Sequence, residues 1–374
     1  MNPPYILQLM IGPGVPVPVG RDVIDALVRV SVTSNTQSAS VFQLTFNLSS
    51  RSPLHTIFLL GGGAQLPIVR VCILVIVRGM PEVLMDGVIT HVQVQPGEGG
   101  LSTLTVTGED LSKLMGYLPL DGVPYPAQPA NVRIMAMLAK YLVFGVVPVV
   151  IPALVPDVPI PTDEIPRQQG TDIEYIRYLA QLCGYEFYVD PGPLPLQSTA
   201  YWGPTIRVGV PQPALNTNMD AETNVESMNC DFDAESTTLP IVMIYPKATK
   251  VGIPIPIPNV NPLAPPLGAV PTIPKNIEID RDSARRSPGA AIMAALGRAA
   301  QSADAVSVSG TLDVARYGRV LKARKLVGVR GAGLAYDGLY FVRSVTHKIQ
   351  RGEYKQDFSL VRNGLISITP RVPA

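Results

Sequence analysis

Few residues in this chain could do chemistry, and their spacing argues against most of it. The three histidines, His55, His91 and His347, and the three cysteines, Cys72, Cys183 and Cys230, are scattered singly. Zinc sites need ligands at close, convergent spacings, so neither a metal centre nor a disulfide framework is expected. Carboxylates cluster at Asp163 and Glu164, at Asp172 and Glu174, and at Asp231, Asp233 and Glu235. A pair of that kind could supply the acid and base of a glycoside hydrolase. Asp172 and Glu174, however, open a helix, where carboxylates offset orphan amides and the helix dipole. Asp231, Asp233 and Glu235 alternate as one face of a strand, the ordinary place for solvated acids. The loop Gly61, Gly62, Gly63 is followed by no Lys-Ser or Lys-Thr, so it is not a phosphate cradle, and no G-x-S-x-G elbow is present. No catalytic residue, metal or cofactor is therefore assigned.

The elements that would hold such residues are mainly strands. Alternating apolar and polar positions recur through the first hundred residues, with Phe42, Leu44 and Phe46 sharing one face of a strand over 41–48. The run between Arg70 and Arg78 is too apolar for a strand wetted on one side, so both its faces must be covered. The segment PANVRIMAMLAKYL reads as a helix. A second helix is signalled by Thr171 and Glu174 as a capping box, with Gly184 as its stop, and YEFYVD behind it reads as a strand. A third helix starts at Ser287 and Pro288. Ten prolines fall between Pro119 and Pro166 and ten more between Pro240 and Pro274. Alternating Pro254, Pro256 and Pro258 remove amide donors from one side of an extended segment, so it can only be a sheet edge or a polyproline arm.

Composition limits the function class. The chain has 374 residues, 47% of them hydrophobic and only 16% charged, with a net charge of +1. So balanced a charge excludes nucleic acid as the main partner, and the apolar excess asks to be buried in an assembly. The longest uncharged apolar stretch is broken by prolines and too short to span a membrane. No basic segment precedes the first apolar residues, so synthesis in the cytoplasm without a signal peptide is expected.

Two β regions share a string. Arg78-Gly79, Asp86-Gly87 and Thr90-His91 recur in order as Arg330-Gly331, Asp337-Gly338 and Thr346-His347. Asp-Gly favours two-residue hairpin turns, so both copies are expected to place one turn between the same strands. The inferred fold class is mainly β with small α/β insertions: two similar antiparallel β-barrels per chain. Residues 1–112 form the first barrel, 113–200 an α/β insertion with a Pro-rich segment, and 201–246 plus 305–366 the second barrel. Residues 247–304 are a Pro-rich arm and helix, and 367–374 a tail.

Three segments carry a resemblance. DGVITHVQVQPGEGGLSTLTVTGEDLSKLM, TDIEYIRYLAQLCGYEFYVD and YDGLYFVRSVTHKIQRGEYKQDFSLVRNG, in this order, resemble the phage late control protein D family, the central baseplate hub of contractile phage tails. The family is similar to the hub portion of type VI secretion spike proteins, and the likeness spans about residues 25–366. It implies a homotrimer whose six barrels form a pseudo-sixfold ring around an axial channel, adapting a hexameric inner tube to a trimeric spike. Only a dozen residues follow Arg362, so the spike is expected to be a separate protein, with other baseplate proteins as further partners in a phage-tail-like particle. The Pro-rich stretches match no motif of that family. A cell-wall hydrolase and a β-rich carbohydrate-binding or adhesin module are the alternatives. The basic run containing Lys322, Arg324 and Lys325 either lines the channel or meets the acidic stretch containing Asp231, Asp233 and Glu235, within or between subunits.

Overall fold

The computed structural model describes residues 5–36, 38–48, 68–96, 102–153, 158–162, 165–244, 253–257, 263–280, 288–369 and 372. The first unit contains β1 (Tyr5–Pro13), β2 (Val17–Pro18), α1 (Arg21–Ala26), β3 (Leu27–Asn35), β4 (Val41–Leu48), β5 (Val69–Val77), β6 (Met80–Pro96) and β7 (Ser102–Asp110). An α/β insertion follows, with α2 (Ala130–Ala139), β8 (Val146–Val150), α3 (Asp172–Cys183), β9 (Glu186–Pro191) and β10 (Ser198–Gly203). The second unit begins with β11 (Gln212–Asn216) and β12 (Val225–Phe232). It is interrupted by β13 (Thr238–Ile244), β14 (Ile253–Pro256), β15 (Gly268–Pro271), β16 (Asn276–Asp280) and α4 (Pro288–Gln301). It resumes with β17 (Val306–Asp313), α5 (Val314–Tyr317), β18 (Leu326–Arg330), β19 (Gly338–Gln350), β20 (Glu353–Arg362) and β21 (Gly364–Ser367). With 50% strand and 18% helix the protein is mainly β.

Local signals act as the sequence implies. In β4, Phe42, Leu44, Phe46 and Leu48 are buried and the alternate residues are not, while β5 is buried almost throughout. Thr171 and Glu174 form the reciprocal capping box of α3, and Gly184 ends that helix in the left-handed conformation. Pro254 and Pro256 lie in β14, which among the described residues is an edge strand pairing only with β13 in the small sheet β14-β13-β16. The cap expected at Ser287, and Pro258, lie outside the described residues.

Thirteen strands join in one sheet, in the order β12-β17-β20-β19-β3-β4-β7-β6-β5-β1-β2, with β18 pairing β19 and β11. The expected mainly β class holds; among the described residues the pairings follow an open path, with no closed barrel, and the two units are joined where β3 meets β19. The cause is the length of β19. Its first residues, Gly338–Phe341, pair with β18, and its later residues, Ser344–Gln350, are left to pair with β3. The hydrophobic interior crosses that seam, since Val320, Ile349 and Tyr354 of the second unit pack in the core formed by Leu44, Phe46, Val71 and Val75 of the first. The insertion has its own core around Trp202, Ile176 and Met137. Among the described residues no helix is long and apolar enough to cross a membrane.

Candidate assembly site

Duplication is visible in the order of strands. From β3 the first unit runs β3-β4-β7-β6-β5-β1, and from β12 the second runs β12-β17-β20-β19-β18-β11. The match extends to register. In β6·β7 the ladder slips at Thr90, between Ile89↔Gly108 and His91↔Thr107. In β19·β20 it slips at Arg343, between Val342↔Leu360 and Ser344↔Ser359. Superposing Thr90 on Arg343 and stepping across the sheet brings Phe42 onto Val308 and then Val32 onto Cys230. That step also lays the slip at Val28 in β3·β4 on the slip at Glu226 in β12·β17. Two bulges thus coincide under one alignment. Bulges set where a sheet bends and ends its pairing, so two units with the same bulges share the same curvature.

Buried ion pairs fix the insertion and the second unit to the first. Arg70 on β5 donates to both oxygens of Asp86 on β6, at 2.7 and 2.6 Å, and Ser198 Oγ on β10 donates to Asp86 at 3.0 Å. Arg324, in the segment before β18, pairs with Asp190 on β9, donates to the Asn35 carbonyl on β3 and stacks 4.0 Å above the Tyr188 ring. One side chain therefore ties both units to the insertion. Lys322 adds a pair with Glu82 of β6 at 2.5 Å. Arg207 grips Asp304 through two hydrogen bonds of 2.5 and 2.8 Å, and Arg343 reaches the same carboxylate at 3.4 Å. Close by, burial pushes the Glu186 carboxyl upward, opposed by the Thr205 hydroxyl that donates to it at 2.6 Å.

These contacts revise the sequence-based placements. Lys322 and Arg324 do not meet the acidic stretch within the chain; they are committed to Glu82 and Asp190. Lys325 is exposed and lines a cleft of about 280 Å³ between the units, together with Glu82, Asp190, Lys322 and His347. Asp231 is the penultimate residue of β12, but Asp233 and Glu235 lie beyond its end, where Asp233 accepts from the Glu235 amide at 2.8 Å, so the three do not share a strand face. The hairpin turn is Arg78-Gly79, at φ 49° and 82°, and Asp86-Gly87 lies inside β6 opposite Cys72 and Val71. A carboxylate tolerates that strand position because Arg70 neutralises it. Arg330 and Gly331 likewise close β18, whereas Asp337 precedes β19 and Gly338 opens it. His91 follows its bulge immediately and is exposed, but His347 lies four residues beyond the other bulge and is buried. The repeated strings thus mark the same hairpins without occupying the same register positions.

His347 has no charged role. Its Nδ1 lies 2.8 Å from the Tyr354 hydroxyl and 3.3 Å from Gln356, and burial lowers its pKa from 6.5 to about 3. Because the unfolded chain takes up this proton first, the stability contributed is complete above about pH 6.5 and is lost as pH falls toward 3, at up to about 1.4 kcal/mol per pH unit. In denaturant titrations between pH 4 and 6, His347→Gln should flatten that dependence relative to the parent; an unchanged slope would contradict the assignment.

Chemistry-bearing groups do not converge. Among the described residues no group of three or more His, Cys, Asp or Glu could hold a metal. Asp172 is buried, accepting from Tyr141 and Gln168 at 2.7 Å each and pairing with Lys140 at 2.5 Å, so its oxygens are used by structure. His55, Gly61–Gly63, Asp163 and Glu164 lie outside the described residues.

Solved structures share this architecture. A tail protein from Neisseria meningitidis MC58 superposes with a TM-score of 0.63 at 14% identity, over 97% of this chain and 98% of that one. The 43 kDa tail protein of prophage MuSo2 from Shewanella oneidensis gives 0.61 at 13% identity, over 96% and 98%. A component of the E. coli type VI secretion system, itself similar to T4 bacteriophage tail proteins, gives 0.50 at 10% identity, over 93% and 75%. The chain has the fold of a phage tail protein. No protein-family model and no curated protein matches the sequence, so the tail-protein fold is recognised through its coordinates. Sequence reasoning missed the clamps of this fold, Arg70–Asp86, Arg207–Asp304 and Arg324–Asp190. Arg207–Asp304 and Arg324–Asp190 join residues 97 and 134 positions apart, and Arg70–Asp86, 16 apart, is marked locally only by charge inside otherwise apolar strands.

Proposed function

We propose that this protein is a structural baseplate hub: a homotrimer joining a hexameric inner tube to a trimeric spike around an axial passage. The observation that carries this is the doubled sheet with coincident bulges. Three chains with two alike units each present six alike surfaces to a tube, while their insertions and arms repeat only three times toward a spike. Residues 1–112 and 201–246 plus 305–366 are taken as the tube-like parts, with 113–200 and 247–304 supplying the threefold contacts, including those to other baseplate proteins. The tail-protein fold supports the assignment. Exposed apolar side chains such as Val143, Leu118 and Ile277, at 82%, 70% and 65%, support burial in a larger particle.

Mass photometry of the purified chain should give three times the 40.1 kDa monomer, and images of tails containing it should show three copies between tube and spike. A chain that stays monomeric in solution and is absent from that level of the particle would remove the proposal.

A further inference from the structure

The duplication leaves one junction made and one unmade. Within the chain, β3 adds to β19, pairing Val32 with His347, Val30 with Ile349 and Thr33 with Thr346. The counterpart of β3 is β12, and that of β19 is β6. Among the described residues β12 pairs only with β17, and β6 beyond Ile89 pairs only with β7, since the ladder with β5 reaches no further along β6 than Val88, opposite Arg70. Both strands therefore present an open edge where their counterparts are joined. Open edges of this length are pairing templates unless they are blunted.

We infer that β12 of one copy adds antiparallel to the free side of β6 in the next copy, reproducing between chains the β3·β19 junction found within each chain. Carrying the intrachain register across the alignment places Cys230 opposite Val94, Met228 opposite Pro96, Asp231 opposite Gln93, Phe232 opposite Val92 and Asp233 opposite His91. The surroundings agree with burial on one face. At the finished junction Val30, Val32, His347 and Ile349 are 1, 0, 4 and 3% exposed. Their counterparts Met228 and Cys230 are half-buried, and Val94 is 37% exposed. Phe232, which the pairing sets against Val92, is 38% exposed. Charge agrees as well: β12 and the turn after it bring Asp231 and Asp233, while 91–96 of β6 carries a histidine and no carboxylate.

Such a contact uses different surfaces on the two partners, so it propagates head to tail, and a ring results when the rotation from copy to copy closes. Covalent and non-covalent junctions would then alternate with the same geometry. The number of copies, three, rests on the hub reading above; the strand pairing does not.

The test uses the full chain with Val94→Cys, oxidised with copper phenanthroline and run on a non-reducing gel. Directly opposed residues bring Cα atoms within disulfide range, so linkage of the introduced thiol to native Cys230 should exceed that given by Gln93→Cys by at least about tenfold. It should end at a covalent trimer and vanish with Cys230→Ser. A trimeric mass without this linkage overturns the strand pairing and leaves the hub reading intact. Linkage through Cys230 that closes at another copy number keeps the pairing and overturns the hub reading. A monomer without linkage overturns both.

Discussion

Replacing Asp86 with Ala should lower the unfolding free energy by about 3–5 kcal/mol, the cost of leaving a buried guanidinium without its partner. The Arg70 and Asp86 side chains are only 6% and 0% exposed, and each makes a further contact with the insertion, to Leu196 and Ser198 respectively. The loss should therefore appear as weakened attachment of the insertion as well as a lower denaturant midpoint. Arg70→Met combined with Asp86→Leu is the discriminating control. Removing both charges should recover most of the stability, because the pair's own net contribution is small once desolvation is counted. Equal losses in the single and double variants would show that shape, not charge compensation, holds this junction.

Gly310→Ala should be nearly as damaging, and through a different cause. A Cβ there would overlap the Ser227 carbonyl oxygen of β12 and lie 2.7 Å from the Phe358 ring. Gly108 is in the same situation against the Val88 carbonyl and the Phe42 ring. In each unit an aromatic ring lies across a glycine on the paired strand, Phe42 over Gly108 and Phe358 over Gly310, with the strand roles exchanged. Inserting a methyl forces the strands apart at a cost of about 1–3 kcal/mol. Calorimetry on Gly310→Ala, with Gly20→Ala as a control that meets nothing within 4 Å, should show a lowered Tm for the first and little change for the second.

The contrast between those sites and the sequence explains what was legible. Phe42, Leu44 and Phe46 betray their strand because burial of one face writes itself into alternate residues, and Thr171 with Glu174 betrays its helix because capping is local. The bulges at Val28, Thr90, Glu226 and Arg343 have no such signature, since any residue can be left unpaired. Asp86-Gly87 was misread as a turn because its decisive neighbour, Arg70, arrives from another strand. The fusion of the two units was hidden for a related reason: it depends on how far β19 outruns β18, a length set by the 331–337 connection and not by residue type. The charges of Lys322 and Arg324 were noticed, but their partners Glu82 and Asp190 lie in other parts of the chain.

The prolines of β14 have a bearing on traffic between molecules. Ile257 donates to the Pro240 carbonyl of β13, and in an extended strand Ile253 and Ile255 face the same way, so the donorless Pro254 and Pro256 look outward. A stray strand arriving there finds carbonyls but no matching hydrogens. A chain this apolar, released in many copies at once, would otherwise have several sticky rims on which to polymerise at random. Silencing one rim chemically channels encounters toward the remaining ones and spares the cell a tangle of misjoined subunits.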